Sequence, residues 1–242
     1  MKDKVVRLDK FLANAGVLSR RAVKDLIKKQ LVTVNDEQAT EAGFRIDPDL
    51  HIVKIDGKRI IAQSFVYFLL NKPKGYISTV TDTHDRKTVV SLVPVPERIY
   101  PVGRLDKDTH GLMLLTNDGE LTHKLIHPRY HVPKVYRLSI AGQPTPQQIR
   151  ALQTGVLLED GITKPAIVVR EKTTGNQTVL RMTLHEGRNR QIRRMCETVG
   201  VKLLDLERIA FGPIPLGRLK LGTYRKLTEN EVARLAQQTE RS

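Results

Sequence analysis

One run constrains this chain more than any other: Gly103-Arg104-Leu105-Asp106-Lys107-Asp108-Thr109-His110-Gly111-Leu112-Met113-Leu114-Leu115-Thr116-Asn117-Asp118-Gly119. A polar loop bounded by glycines runs straight into four apolar residues, Leu112 to Leu115, short enough for a buried strand and closed by an Asn-Asp-Gly turn. The acids Asp106 and Asp108 are thereby set at the edge of a core. A solvated turn would also use Asp and Gly. A calcium loop counted from Asp106 fails, because His110 stands fifth, Met113 eighth, and Asn117 takes the twelfth place, where a bidentate Glu is needed.

Charge narrows the class of partner. The 242 residues hold 41 Lys and Arg against 26 Asp and Glu, a net charge of +15, which favours a polyanion such as nucleic acid or an anionic membrane surface. The opening residues Met1 to Arg7 are too charged for a signal peptide, and no apolar run approaches the length of a membrane span. A cytoplasmic protein with no membrane partner is expected. Cys196 is the single cysteine, which excludes an internal disulfide and a thiolate-rich zinc site. No glycine-rich phosphate loop or dinucleotide fingerprint is present.

At the N-terminus Leu8, Phe11, Leu12 and Ala15 follow helical spacing up to Gly16, and Ser19 is placed to cap a second helix carrying Val23, Leu26 and Ile27. Residues 1 to 30 contain nine cations against Asp3, Asp9 and Asp25, a net of 9 − 3 = 6. Strands are expected over 31–36 and 52–58, with a linker from Lys58 to Ser64. Two domains follow, 1–60 and 65–242. In the second, Val66 to Leu70 reads as a strand leading into a basic turn, Asn71-Lys72-Pro73-Lys74-Gly75-Tyr76. His123, His127 and His131 are spaced by four, but no acid sits among them and Pro128 breaks the helical face, which disfavours a metal.

Further on, Pro133 to Ile140 reads as a strand on which Tyr136 is flanked by cations, and Pro146 to Leu152 as a helix. Thr178 to His185 alternates, with Leu180, Met182 and Leu184 on one face. The chain then enters a helix whose stripe is Ile192, Met195, Cys196 and Val199, leaving Arg188, Arg190, Arg193 and Arg194 off it. Arginine suits forked contacts to phosphate or carboxylate. Thr228-Glu229-Asn230-Glu231 is a capping box for a last helix.

Gly103-Arg104-Leu105-Asp106, Gly111-Leu112 and Thr116-Asn117-Asp118-Gly119 resemble the signature of the RsuA/RluB-type pseudouridine synthases, as do Lys72-Pro73-Lys74-Gly75, Lys134-Val135-Tyr136 and Glu186-Gly187-Arg188-Asn189-Arg190-Gln191-Ile192-Arg193-Arg194-Met195. Residues 7–12, 19–21 and 32–35 resemble the small RNA-binding module first seen in ribosomal protein S-four. The resemblance implies an α+β chain: that module, then a catalytic domain built on a mixed, mainly antiparallel sheet. It implies isomerisation of uridine to pseudouridine in ribosomal RNA, with the 188–197 segment and the continuation past residue 200 nearer to large-subunit members.

In that reading Asp106 is the catalytic carboxylate, attacking sugar or base covalently or assisting a proton transfer at the ribose. Tyr136 packs on the target base and Arg193 faces the carboxylate. Arg104, two residues before Asp106, lies on the same side of an extended chain and braces the gap left by the nucleotide. Arg7, Lys10, Ser19, Arg20, Arg21, Lys24, Lys72, Lys74, Arg188, Arg190 and Arg194 hold the RNA. No metal and no organic cofactor are required, and a monomer acting on ribosomal RNA or an assembling subunit is expected. The rival is a non-catalytic ribosome-assembly factor with the same basic surface. A metal-dependent nuclease would want more converging acids than Asp106 and Asp108.

Overall fold

The structure is a computed structural model that describes residues 5–240. It separates into two compact units. One runs to Val66 and takes in Val95–Ile99 and Asn117–Gly119; the other holds Tyr67–Pro94, Tyr100–Thr116 and everything from Glu120 onward.

The first unit begins with helices Leu8–Asn14 and Arg20–Lys28. Ser19 caps the second, its hydroxyl accepting the Ala22 N–H at 3.2 Å and so satisfying one of the free donors of the first turn. Leu8, Leu12, Val23 and Ile27 bury their faces against Val32, Ile46 and Val53. Behind them lies a four-stranded sheet in the order Glu37–Gln38, Val32–Val34, Val53–Ile55 and Lys58–Arg59. The expected linker therefore starts later, since Lys58 and Arg59 complete a hairpin with Ile55 and Lys54. Asp56 and Gly57, both left-handed at φ 49° and 72°, make its two-residue turn.

The second unit is built on one large sheet. Its main path runs Ile167–Thr174, Gln177–Leu184, Lys134–Ala141, Leu203–Phe211, His110–Thr116, Tyr67–Lys72 and Tyr224–Lys226. Every neighbouring pair along it is antiparallel except Leu203–Phe211 with His110–Thr116, which is parallel. Gly111 lets those two strands meet: its φ is 102°, and a Cβ there would lie 2.4 Å from the Arg208 carbonyl oxygen. One core cluster packs Leu138, Ile140, Leu180, Met182 and Leu206 against helices Pro146–Thr154 and Gln191–Thr198 through Leu152, Ile192 and Met195. A second packs Leu69, Leu112, Leu114 and Phe211 against Leu121, Leu125 and Leu235 of helices Gly119–Ile126 and Glu229–Gln238.

The alternation expected over 178–185 is present, with Thr178, Leu180, Met182 and Leu184 buried. Two long strands escaped the sequence reading, Ile167–Thr174 and Leu203–Phe211. The first is a sheet edge with mostly exposed side chains. The second carries Asp205, Glu207 and Arg208 among its apolar residues, and these are accommodated by partners distant in sequence, which erases the period-two signal.

Candidate active site

The loop bearing Asp106 is held by its backbone. Strand Tyr67–Lys72 ends on Lys72, whose side chain is fully buried and whose ammonium donates to the carbonyls of Thr109 (2.8 Å), Asp106 (3.1 Å) and Pro73 (3.1 Å). Burial pushes this lysine down to about 8, against the pull of Asp106 and Asp108. Gly75 N–H reaches the Lys107 carbonyl at 2.8 Å, so the Lys-Pro-x-Gly turn grips the loop from below. Ser78 fastens the other side. Its hydroxyl donates to the Leu105 carbonyl (2.6 Å) and accepts the Leu105 N–H (3.0 Å), burying Leu105 between Arg104 and Asp106.

The facing wall comes from the Glu186–Arg193 turn and helix. Gln191 is buried; it donates to Glu186 Oε1 (2.7 Å) and accepts the Arg188 N–H (3.0 Å), while Arg190 turns left-handed at φ 48° to start the helix. From that helix Arg193 donates through Nη2 to the Asp108 carbonyl (3.0 Å) and to Thr109 Oγ1 (3.2 Å). This leaves its Nε 3.8 Å from Asp106 Oδ2, an ion pair looser than a hydrogen bond. Tyr136 closes the third side. It follows the buried row Ile140, Leu138 along its strand and sits at the end of the first core cluster. Together these residues line a cavity of about 370 Å³, with Arg104, Arg188, Arg190 and Arg193 outnumbering Asp106 and Glu186.

An arginine-lined cavity holding one tethered carboxylate and one tyrosine suits a polyanion whose reacting part is an uncharged ring, and relatives bear this out. Residues 66–198 match the model of the RNA pseudouridylate synthases. The chain belongs to that family. Residues 6–52 match the S4 domain, the module expected at the N-terminus. The synthase is 42% identical to an uncharacterized RNA pseudouridine synthase of Aquifex aeolicus, over 95% of this chain and 93% of that protein. It is 43% identical to the ribosomal large subunit pseudouridine synthase B of Bacillus subtilis, covering 95% of each. Among solved structures, a pseudouridylate synthase matches with TM-score 0.67 and 30% identity, over 95% of this chain and 99% of that one. The non-catalytic alternative finds no support in these relatives, and the chain is an enzyme of the isomerase class.

The synthase does not use all its flagged cations as the sequence suggested. Lys72 is corrected: a side chain with no exposed surface and carbonyl partners on three sides cannot meet phosphate. Arg194 places both terminal nitrogens on Asp160, at 2.9 and 3.0 Å. Arg188 donates to the carbonyls of Asp160 (3.0 Å), Gly161 (2.8 Å) and Ile162 (2.6 Å). Both arginines thus clamp the Leu157–Ile162 hairpin while keeping part of their side chains exposed. Lys74 meets Asp205 at 2.5 Å but stays half exposed. Burial alone would push Asp205 up; hydrogen bonds from Lys74 and His110 outweigh it and hold its carboxyl below the usual range.

Arg104 and Arg190 are exposed, and neither has an ion pair among the described residues. In the first unit Arg21 and Lys24 are exposed, Arg7 pairs with Asp9 at 3.1 Å, and Lys10 is half-buried; Ser19 serves as the cap. The Arg20 side chain lies outside the described residues. The histidine trio does not converge: the His123 and His127 rings lie 5.1 Å apart, tilted by 47°, while His131 turns left-handed, its carbonyl accepting from His185. No group of three His, Cys, Asp or Glu forms a metal site among the described residues. Sequence reasoning missed Ser78, Asp160 and Arg208, because each acts on a partner at least 27 residues away.

Proposed function

We propose that this synthase isomerises a uridine in ribosomal RNA of the large subunit, with Asp106 as its catalytic carboxylate. The observation that carries the reading is the setting of Asp106: a carboxylate on a backbone-tethered loop, inside a cationic cavity, beside Arg193 and across from Tyr136. In the reaction the ribose bond to ring N1 breaks, the uracil turns, a bond to C5 forms, and the proton leaves C5 while N1 gains one. Nothing is oxidised and no phosphate moves. Asp106 attacks covalently or assists the proton transfer at the ribose, Arg193 faces it, and Tyr136 offers its ring to the base. Arg104 braces the gap left by the nucleotide.

A stacked uridine must first be extruded, at a cost on the order of a few kcal/mol. Phosphate contacts offset that cost. Arg7, Lys10, Arg21 and Lys24 of the domain over residues 1–60, with Arg104, Lys74 and Arg190 of the domain over 65–242, are the cations assigned to them. The large-subunit assignment rests on similarity to the Bacillus subtilis enzyme named for that subunit. A cytoplasmic monomer fits the reading, and no helix among the described residues is long and apolar enough to cross a membrane.

The test is Asp106→Asn beside Asp108→Asn, reading tritium release from uridine labelled at C5 and RNA affinity by gel shift. Asp106→Asn is expected to lose turnover by at least roughly a thousandfold with affinity intact, and Asp108→Asn to keep most activity. Full turnover by Asp106→Asn would end the assignment. Turnover on an unstructured substrate should also persist in EDTA; loss restored by magnesium would favour a metal.

A further inference from the structure

Arg208 is buried to 2% exposure, yet no carboxylate pairs with it among the described residues. Its surroundings are specific. In the antiparallel ladder it stands directly opposite Tyr136, so the two side chains share a face of the sheet. Its Nε donates to the Leu112 carbonyl at 2.7 Å, on the strand that leaves the Asp106 loop. Its guanidinium lies over the Phe211 ring at 5.2 Å, and its Nη2 has no hydrogen-bond partner among the described residues. Burial disfavours its charge, and the Tyr136 hydroxyl beside it favours that charge.

An uncompensated buried guanidinium is costly, and a packed apolar side chain of similar length would serve the core better. What an apolar side chain could not do is hold a strand carbonyl and set a guanidinium opposite the tyrosine at once. Tyr136 reaches the cavity from one strand and Asp106 from the loop before another, and Arg208 spans the two. Its rigid planar fork suits a bridge of that kind better than the single ammonium of a lysine.

We propose that Arg208 is a positioning residue that sets the Tyr136 ring and hydroxyl at a fixed place relative to Asp106, without touching the RNA. The inference rests on the site assignment above. Removing the fork leaves Tyr136 free to swing within the cavity wall, which slows the chemical step and leaves RNA binding unchanged. The substitution Arg208→Lys keeps a charge near the phenol, whereas Arg208→Met keeps only bulk. Function and stability therefore rank the two substitutions in opposite orders.

The test compares Arg208→Lys and Arg208→Met, alone and combined with Tyr136→Phe, by single-turnover tritium release, RNA affinity and thermal unfolding. With Tyr136 intact, Arg208→Met is expected to slow turnover by about tenfold or more, and Arg208→Lys by less. Combined with Tyr136→Phe, both should fall within about twofold of Tyr136→Phe alone, because residues acting through one contact are not additive. RNA affinity should hold throughout, and Arg208→Met should unfold no earlier than Arg208→Lys. Equal losses in both backgrounds, or rates that follow thermal stability, would overturn the proposal. Should Arg208→Met fail to fold, the Arg208→Lys cycle decides alone. Asp106→Asn run alongside separates the two levels: full turnover there sinks the site assignment, whereas an inactive Asp106→Asn with additive Arg208 effects sinks only this inference.

Discussion

The cations of the second unit that lie behind the cavity and those on the first unit's second helix are the same residue types in opposite settings. Arg21 and Lys24 are exposed along one helix. Lys72 and Arg208 are buried and direct their donors to the backbone: Lys72 to the carbonyls of the Asp106 loop, Arg208 to Leu112. The lesson is that net charge reports the partner, while burial decides which charges address it. A buried cation near a carboxylate shapes the site; an exposed one sets affinity and its response to salt.

Lys72→Met is the sharpest way to break that contrast. Losing its contacts to Asp106, Thr109 and Pro73 should displace the loop and cut turnover by on the order of a hundredfold, with RNA affinity unchanged in a gel shift. If affinity collapsed and turnover at saturating RNA held, Lys72 would belong with the surface cations after all.

A pH titration sharpens the same point. Lys72 sits near 8 when folded, against 10.5 for an ordinary lysine, so it loses its proton as pH rises through about 8. Turnover should decline there, and the decline should be absent from whatever activity Lys72→Met retains. The stability effect runs the other way. Between about 8 and 10.5 the unfolded chain still binds that proton and the folded one does not, so this group's contribution to stability rises with pH across the window.

Arg21→Ala with Lys24→Ala should leave the saturated single-turnover rate untouched. It should weaken RNA binding at low salt and reduce the slope of log affinity against log salt by roughly two. An unchanged slope would remove this helix from the RNA interface.

The smallest effect is expected where neither class of cation faces the cavity. Thr228→Ala breaks the capping box that Thr228 and Glu231 form, which should cost about 1 kcal/mol in denaturant melts. Neither turnover nor RNA affinity should change. Glu231 is held at about 2, chiefly by hydrogen bonds from Arg225, so its stabilisation is present above about 4.5 and is lost as pH falls through about 2.

Much of the molecule was legible because its signals are local. Helical spacing placed Leu8 and Leu12 in the core, the Ser19 cap and the Thr228–Glu231 box needed only neighbouring residues, and the alternation from Thr178 to Leu184 needed only a half-buried face. The loop with Arg104 and Asp106 and the Arg193 helix were readable as motifs, and charge pointed to a polyanion. Tertiary structure alone decided which of the flagged groups meet. It buried Lys72, gave Arg188 and Arg194 to the Asp160 hairpin, and set Arg208 opposite Tyr136. The physical reason is that a cation looks the same in sequence whether its partner is solvent phosphate or a carbonyl; only the pairing of strands far apart in the chain determines which one it finds.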